Sequence, residues 1–193
     1  MPLLGIIAAR LCPNPYCSLF DNLLPVSQPG AFSETTQVNH HYAKWDQRFL
    51  DLARHISDWS KDPSTKVGAV IVRPNKTIVS VGYNGFPRTV RDDKSLYEDR
   101  PTKLFRTVHA EVNAILTAGQ SVKGCILYVW PLHPCANCAG IIIQSGIARV
   151  VAFMASQPKA WEENFAVAKQ LFDEARVPVE LVTAEVNDGR PSI

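Results

Sequence analysis

Apolar positions along this chain change period in a regular order. Trp45, Phe49, Leu52, Ala53 and Ile56 recur at the three- and four-residue spacing of an amphipathic helix, which should end by the Asp62-Pro63 break. Val67 to Val72 is an apolar, β-branched run. Pro74-Asn75-Lys76 is a turn and Thr77 to Tyr83 a second strand, so the two strands predict a hairpin. Helix is expected over Val108 to Ala118, ending at Gly119, and strand over Cys125 to Val129. A helix over Ala136 to Ser145 is closed by Gly146, and Arg149 to Phe153 is strand. The spacing then predicts a helix from Trp161 to Ala175, with Phe165, Ala168, Leu171 and Phe172 inward, and a last strand from Val177 to Val182.

That order implies an α/β fold with one five-stranded mixed sheet and helices on both faces. The last three strands are joined by helical crossovers and should run parallel. One connection is out of proportion. Gly85 to Val108 is polar, is interrupted by Pro87 and Pro101, and carries charges of both signs. A connection of that length suits a lid or binding loop, with room for a short helix. Residues 1–40 lack any period, because Pro2, Pro13, Pro15, Pro25, Pro29 and Gly30 interrupt it. They read as an irregular extension, 41–183 as the folded domain and 184–193 as a tail.

Composition narrows the class. The chain has 193 residues, 46% hydrophobic and 20% charged, which suits one globular domain rather than a disordered chain. A net charge of +2 argues against a protein that lives on polymeric nucleic-acid phosphates, yet leaves room for one phosphate pocket. No run of about 18 apolar residues exists, so no membrane span is expected. The apolar start, Leu3 to Ala9, has no basic residue before it and makes a poor secretory signal. Cysteine is present five times, an odd number, and Cys12 and Cys17 read as free thiols. With two others in a C-x-x-C near a suitable histidine, a reducing, cytoplasmic setting is expected over a disulfide framework.

The chemistry concentrates in two short motifs, His109-Ala110-Glu111 and Pro134-Cys135-Ala136-Asn137-Cys138. One histidine and two cysteines are the donors of a catalytic zinc that keeps its fourth position open. Both motifs fall at helix starts, where free N–H groups and partial positive charge favour thiolates at Cys135 and Cys138. Residues at i and i+3 share a face, so one ion reaches both sulfurs. Glu111 is not needed to hold the metal and is suited to moving protons. This H-x-E then P-C-x-x-C order is the signature of zinc deaminases acting on nucleobases. A structural zinc would require a fourth protein ligand; His133, Cys125 and Glu111 are the candidates, with Cys125 better read as core. Either motif alone is weak evidence, but together and in this order they are specific.

On these residues the chain resembles the zinc-dependent cytidine and deoxycytidylate deaminase superfamily, from roughly Tyr42 to Val182. The segments Asp62-Pro63-Ser64-Thr65-Lys66-Val67-Gly68-Ala69-Val70, Gly82-Tyr83-Asn84-Gly85-Phe86-Pro87 and His109-Ala110-Glu111-Val112-Asn113-Ala114-Ile115 are similar to its deoxycytidylate branch. The resemblance implies a three-layer α/β/α cytidine-deaminase-like fold and zinc on His109, Cys135 and Cys138. It also implies Glu111 as proton shuttle, Asn84 as a sugar contact, the Ala110 backbone on the pyrimidine carbonyl, and a homo-oligomer. Gly85 to Val108 holds neither cysteine nor histidine, so the second zinc of some relatives is not expected. Trp130-Pro131-Leu132-His133-Pro134 runs one residue longer than the family's common link, on the substrate side.

The expected activity is therefore zinc-dependent hydrolytic deamination of dCMP to dUMP and ammonia. Within the same chemistry cytosine, cytidine, guanine and tRNA adenosine are alternatives. A zinc-stabilised binding module and a thiol oxidoreductase on Cys135 and Cys138 are alternatives outside it. Trp130, Phe86 and Tyr97 could stack on bases, although without a basic stripe they read better as packing. Lys61, Lys66, Arg88 and Arg91 are candidates for a 5′-phosphate, Lys66 and Arg88 foremost, because phosphate recognition is an Arg or Lys task.

Overall fold

The computed structural model describes residues 40–154 and 159–182, with side chains from Lys44 onward. The expectations for the N-terminal extension, for Cys12 and Cys17 and for the tail lie outside the described residues. An α-helix, α1 (His40–Ser57), precedes the hairpin β1 (Gly68–Val72) and β2 (Ile78–Tyr83). Two short helices, α2 (Lys94–Glu98) and α3 (Arg100–Arg106), occupy the long connection. After them come α4 (Ala110–Thr117), β3 (Ile126–Trp130), α5 (Ala136–Gln144), β4 (Arg149–Phe153), α6 (Glu162–Glu174) and β5 (Val179–Val182).

The five strands form one mixed sheet in the order β2-β1-β3-β4-β5. β1 pairs antiparallel with both β2 and β3, whereas β3, β4 and β5 run parallel, as the helical crossovers demand. Alternation along the strands sorts the core into two layers. Ala69, Ile71, Leu127, Val129, Val150 and Ala152 face α4, α5 and α6, which contribute Ala110, Ala114, Cys138, Ile142, Ala168 and Phe172. Val70, Val72, Tyr128 and Val151 face the opposite side, where Phe49, Leu50, Ala53 and Ile56 of α1 cover them. The result is the expected three-layer α/β/α arrangement.

Two glycines set how closely the helices lie on the sheet. A Cβ on Gly68 would stand 2.0 Å from the Ala53 carbonyl oxygen of α1. On Gly82 it would stand 2.3 Å from the Ala114 nitrogen and 2.4 Å from the Ala110 oxygen of α4. Only a residue without a side chain permits either approach.

Strand register gathers the functional segments at one edge. Gly68, the start of β1, pairs with Tyr83, the end of β2, and with Trp130, the end of β3. Trp130 in turn stacks on Phe153, the end of β4, at 3.8 Å between ring centroids. Asn84, Val67 and Pro131 are therefore neighbours in space because each continues a strand past this edge. The long connection returns to the same place: Gly85 N–H donates to the Val108 oxygen at 3.1 Å and Val108 N–H to the Gly85 oxygen at 2.8 Å.

Candidate metal and substrate site

Each zinc-type donor stands at the start of a helix. His109 is the N-cap residue of α4, and Cys135 that of α5, where its Sγ accepts from the Cys138 N–H at 3.5 Å. Cys138, three residues on, turns the same way. His109 Nδ1 lies 3.2 Å from Cys138 Sγ and 3.4 Å from Cys135 Sγ, and all the donor atoms lie within 4.8 Å of one another. Tetrahedral zinc, with bonds of about 2.3 Å to sulfur and about 2.0–2.1 Å to nitrogen, separates such donors by about 3.5 Å. The trio fits that ion.

Electrostatics at the trio fit it equally well. The Cys138 thiol, the His109 ring and the helix N-terminus hold Cys135 well below the usual thiol range, against its burial. Cys138 moves the other way, because Cys135 beside it and its own burial disfavour a second negative charge. Two neighbouring thiolates repel each other, and a divalent cation is what lets both ionise. Asn164 supports the geometry from α6: its Oδ1 accepts from the Ala136 N–H at 2.8 Å, satisfying one of the free donors of the first turn of α5.

Glu111 is the second residue of α4 and is 3% exposed. Burial pushes its carboxyl above the usual carboxylate range, although His109 nearby opposes this. It reaches the same cavity as His109 and Cys135, a space of about 420 Å³. That is the size of a small-molecule site. Pro131, Leu132, Trp161 and Phe165 are among the apolar side chains of its lining. Its polar lining includes Asp62, Ser64, Thr65, Asn84, Arg100 and Lys103.

His133 also lines this cavity and is buried; its Nδ1 is 2.7 Å from the Pro134 oxygen, and its ring packs edge-on against Phe165 and Phe172. It is not part of the donor trio. Cys125 is buried in the core, as expected. Phe86 and Tyr97 stack on each other at 4.3 Å and Trp130 stacks on Phe153, so these aromatics pack against protein.

Asn84 lines the cavity, but its amide is largely committed to backbone. Oδ1 accepts from the Val67 N–H at 2.8 Å and Nδ2 donates to the Thr65 oxygen at 2.9 Å. Ala110 lines it too, and as the first residue of α4 its N–H has no acceptor within the helix. The structure does not bring Lys66 or Arg88 into the lining. Lys66 Nζ turns to the Asp58 carbonyl at 3.4 Å, and Arg88 is exposed in the long connection. The cations it does bring are Arg100 and Lys103, both on α3 and neither singled out by the sequence.

Lys103 is nearly fully buried and pairs with Asp62 at 3.0 Å. Burial pushes the Asp62 carboxyl up. The backbone N–H groups of Thr65 and Ser64 and the Lys103 ammonium outweigh it and hold the group below the usual range. Asp99 starts α3 by accepting from the Thr102 N–H at 3.1 Å. The Asp99-Arg100-Pro101 order, an acidic cap followed by proline in the first turn, was the available signal for that helix.

Comparison with known proteins agrees with this geometry. Residues 43–154 match the family model of the cytidine and deoxycytidylate deaminase zinc-binding region. The chain belongs to that family. Its cofactor is accordingly zinc, and His109, Cys135 and Cys138 form the candidate site. Among curated relatives of this deaminase, an uncharacterized deaminase in the luxG 3′ region of Aliivibrio fischeri is 44% identical over 140 residues. The alignment covers 71% of this chain and 92% of the relative. Human deoxycytidylate deaminase is 39% identical over 142 residues, 70% of this chain and 78% of the relative. A solved structure of dCMP deaminase from cyanophage S-TIM5, in apo form, superposes with a TM-score of 0.55 at 25% identity. The match covers 72% of this chain and 98% of that one. No helix among the described residues is long and apolar enough to cross a membrane.

Proposed function

We propose that this deaminase converts dCMP to dUMP and ammonia by zinc-dependent hydrolysis. The observation that carries the reading is a buried carboxylate, Glu111, in one cavity with His109 and Cys135 of a zinc-type trio. The 39% identity to a deoxycytidylate deaminase supports the substrate. When bound, zinc supplies the Lewis acidity that makes water a usable nucleophile near neutral pH.

The chain's residues do the remaining work. Glu111 takes a proton from the attacking water and delivers it to the ring nitrogen next to the reacting carbon. It then takes the second proton from the hydroxyl now on that carbon and passes it to the amine, which leaves as ammonia while the hydroxyl becomes the product carbonyl. That is general acid–base catalysis, worth about 10²–10⁴-fold. A carboxyl held above its usual range gives up and regains a proton more readily near neutrality. The Ala110 N–H is the donor for the pyrimidine carbonyl. Asn84 retains one N–H and one lone pair for the sugar beyond its two backbone bonds. Trp161 and Phe165 offer apolar surface to the base.

For the 5′-phosphate, Arg100 is the exposed cation of the lining, with Lys66 and Arg88 as outer candidates. A net charge of +2 favours a monomeric nucleotide over a polymer. A cytoplasmic homo-oligomer belongs to the same reading; Phe105 on α3 and Leu116 on α4 are exposed apolar side chains that a second copy would cover.

The deciding experiment is ammonia release by zinc-loaded protein with dCMP, deoxycytidine, cytosine and guanine in parallel, beside a Glu111→Ala control. Turnover of dCMP that the control loses is the expected result. Equal activity on deoxycytidine would reject the nucleotide reading, and turnover of another base alone would move the substrate.

A further inference from the structure

Asp62 is used in a lopsided way. Four donors converge on its Oδ1: Ser64 N–H at 2.8 Å, Ser64 Oγ at 3.0 Å, Thr65 N–H at 3.0 Å and Lys103 Nζ at 3.0 Å. Among the described residues its Oδ2 receives none, although the side chain is 6% exposed. A buried carboxylate oxygen without a donor is costly. Among the described residues no side-chain nitrogen or oxygen that is sealed from solvent lacks a partner. Oδ2 therefore reaches open space, and the open space that Asp62 lines is the cavity. Lys103 is in a matching position. Its ammonium has three N–H groups, two of which go to Asp62 Oδ1 and Ser64 Oγ.

We infer that Asp62 Oδ2, with the remaining N–H of Lys103, forms a subsite that reads the 3′-hydroxyl of the nucleotide's sugar. The assignment rests on the dCMP reading and adds a specificity residue to it. Three arguments select a hydroxyl. An acceptor beside a donor matches a group that both donates and accepts, which a hydroxyl does and a phosphate at neutral pH does not. The ion pair is neutral overall, so it offers no net attraction to a phosphate, and the bare carboxylate oxygen repels one. Ring geometry supplies the direction: the sugar-bearing nitrogen of cytosine lies across the ring from the carbon that loses its amine. With that carbon at Glu111 and the donor trio, the sugar projects away from them. Of the other lining residues, Asp62, Lys103 and Asn84 form one hydrogen-bonded polar group joined through Thr65.

The test compares dCMP with 2′,3′-dideoxycytidine monophosphate, which lacks only this hydroxyl. A lost hydrogen bond to a charged partner should lower kcat/KM for the dideoxy compound about 10- to 100-fold in the unaltered protein. Equal kcat/KM for the two would overturn the assignment while leaving the deaminase reading intact. Failure to deaminate dCMP at all would overturn both. In Asp62→Asn the ratio of the two kcat/KM values should shrink toward one. That ratio does not depend on how much of the variant is folded, and an undiminished ratio would also overturn the assignment. Should Asp62→Asn not fold, calorimetry on Glu111→Gln gives a readout without turnover. dCMP should bind more tightly than the dideoxy compound, and equal binding counts against the subsite.

Discussion

Gly82 and Ala114 approach so closely that a Cβ on Gly82 would sit 2.3 Å from the Ala114 nitrogen. This contact seats α4 on β2, and α4 carries Glu111 just beyond its His109 cap. A Gly82→Ala substitution cannot be absorbed by a side-chain rotation, because the obstacles are backbone atoms. It should cost about 1–3 kcal/mol of stability, as overpacking does. It should also weaken zinc binding, because the helix must move outward. Thermal unfolding and a zinc titration with a competing chelator would check both effects; unchanged zinc affinity would show that α4 yields elsewhere.

Glu111→Gln should separate metal holding from proton transfer. The amide fills nearly the same space but cannot accept a proton. Zinc content by elemental analysis should stay at one per chain while kcat falls by about 10²–10⁴-fold. Loss of zinc in this variant would make Glu111 a ligand instead.

In the unaltered enzyme the acid limb of the kcat/KM profile should lie above the usual carboxylate range. The reaction needs Glu111 ionised at its start, and burial raises the pH at which it ionises. Activity should therefore fall as pH drops through that raised value. The limb should vanish in Glu111→Gln.

Asp62 carries the opposite sign. Its carboxyl is held below the usual range in the folded protein, so the stability it contributes is present above the unfolded value. That stability is lost as pH falls through the lower folded value, in the window below about pH 4. Since its partner Lys103 is on α3, the connection should loosen there first. Hydrogen exchange of the Lys103 and Thr107 amides should speed up in that window relative to Leu127 in the core. Uniform exchange across the chain would contradict a local role.

Stripping zinc should expose a difference between the two cysteines. Cys135 lines the cavity and is held toward thiolate, whereas Cys138 is held toward thiol and is more deeply buried. A small alkylating agent at neutral pH should modify Cys135 first, since the thiolate is the nucleophile. Readded zinc should protect both. Peptide mapping by mass spectrometry reads the order directly.

The donor trio was legible in the sequence because its logic is local. Cys135 and Cys138 are a helical turn apart, so spacing alone suggests a shared face, and His109 with Glu111 precedes them in the order that marks zinc deaminases. Element order was legible for a related reason: β1, β3 and β4 are short, nearly continuous apolar runs of the kind a strand buried on both faces carries. Lys103 was not legible. It stands in a charged connection whose other cations are mostly exposed, and its partner Asp62 is 41 positions away. No period distinguishes a lysine that a distant carboxylate will bury. Lys66 and Arg88 are phosphate candidates by residue type alone, and residue type does not carry them into the cavity lining. Asn84 was visible as a candidate, but its bonds to Thr65 and Val67 depend on strand register.

The paired bonds between Gly85 and Val108 close the intervening 22 residues into a cassette with a single base. The chain leaves and re-enters the fold at one point, with Asn84 and His109 just outside the two ends, and the Lys103–Asp62 pair ties the insert back to the domain. Relatives with different substrates could then arise by exchanging this insert, with its Arg100, Lys103 and Leu104, under an unaltered metal centre. For protein engineers it marks a natural splice site for recombining substrate preference without rebuilding the chemistry.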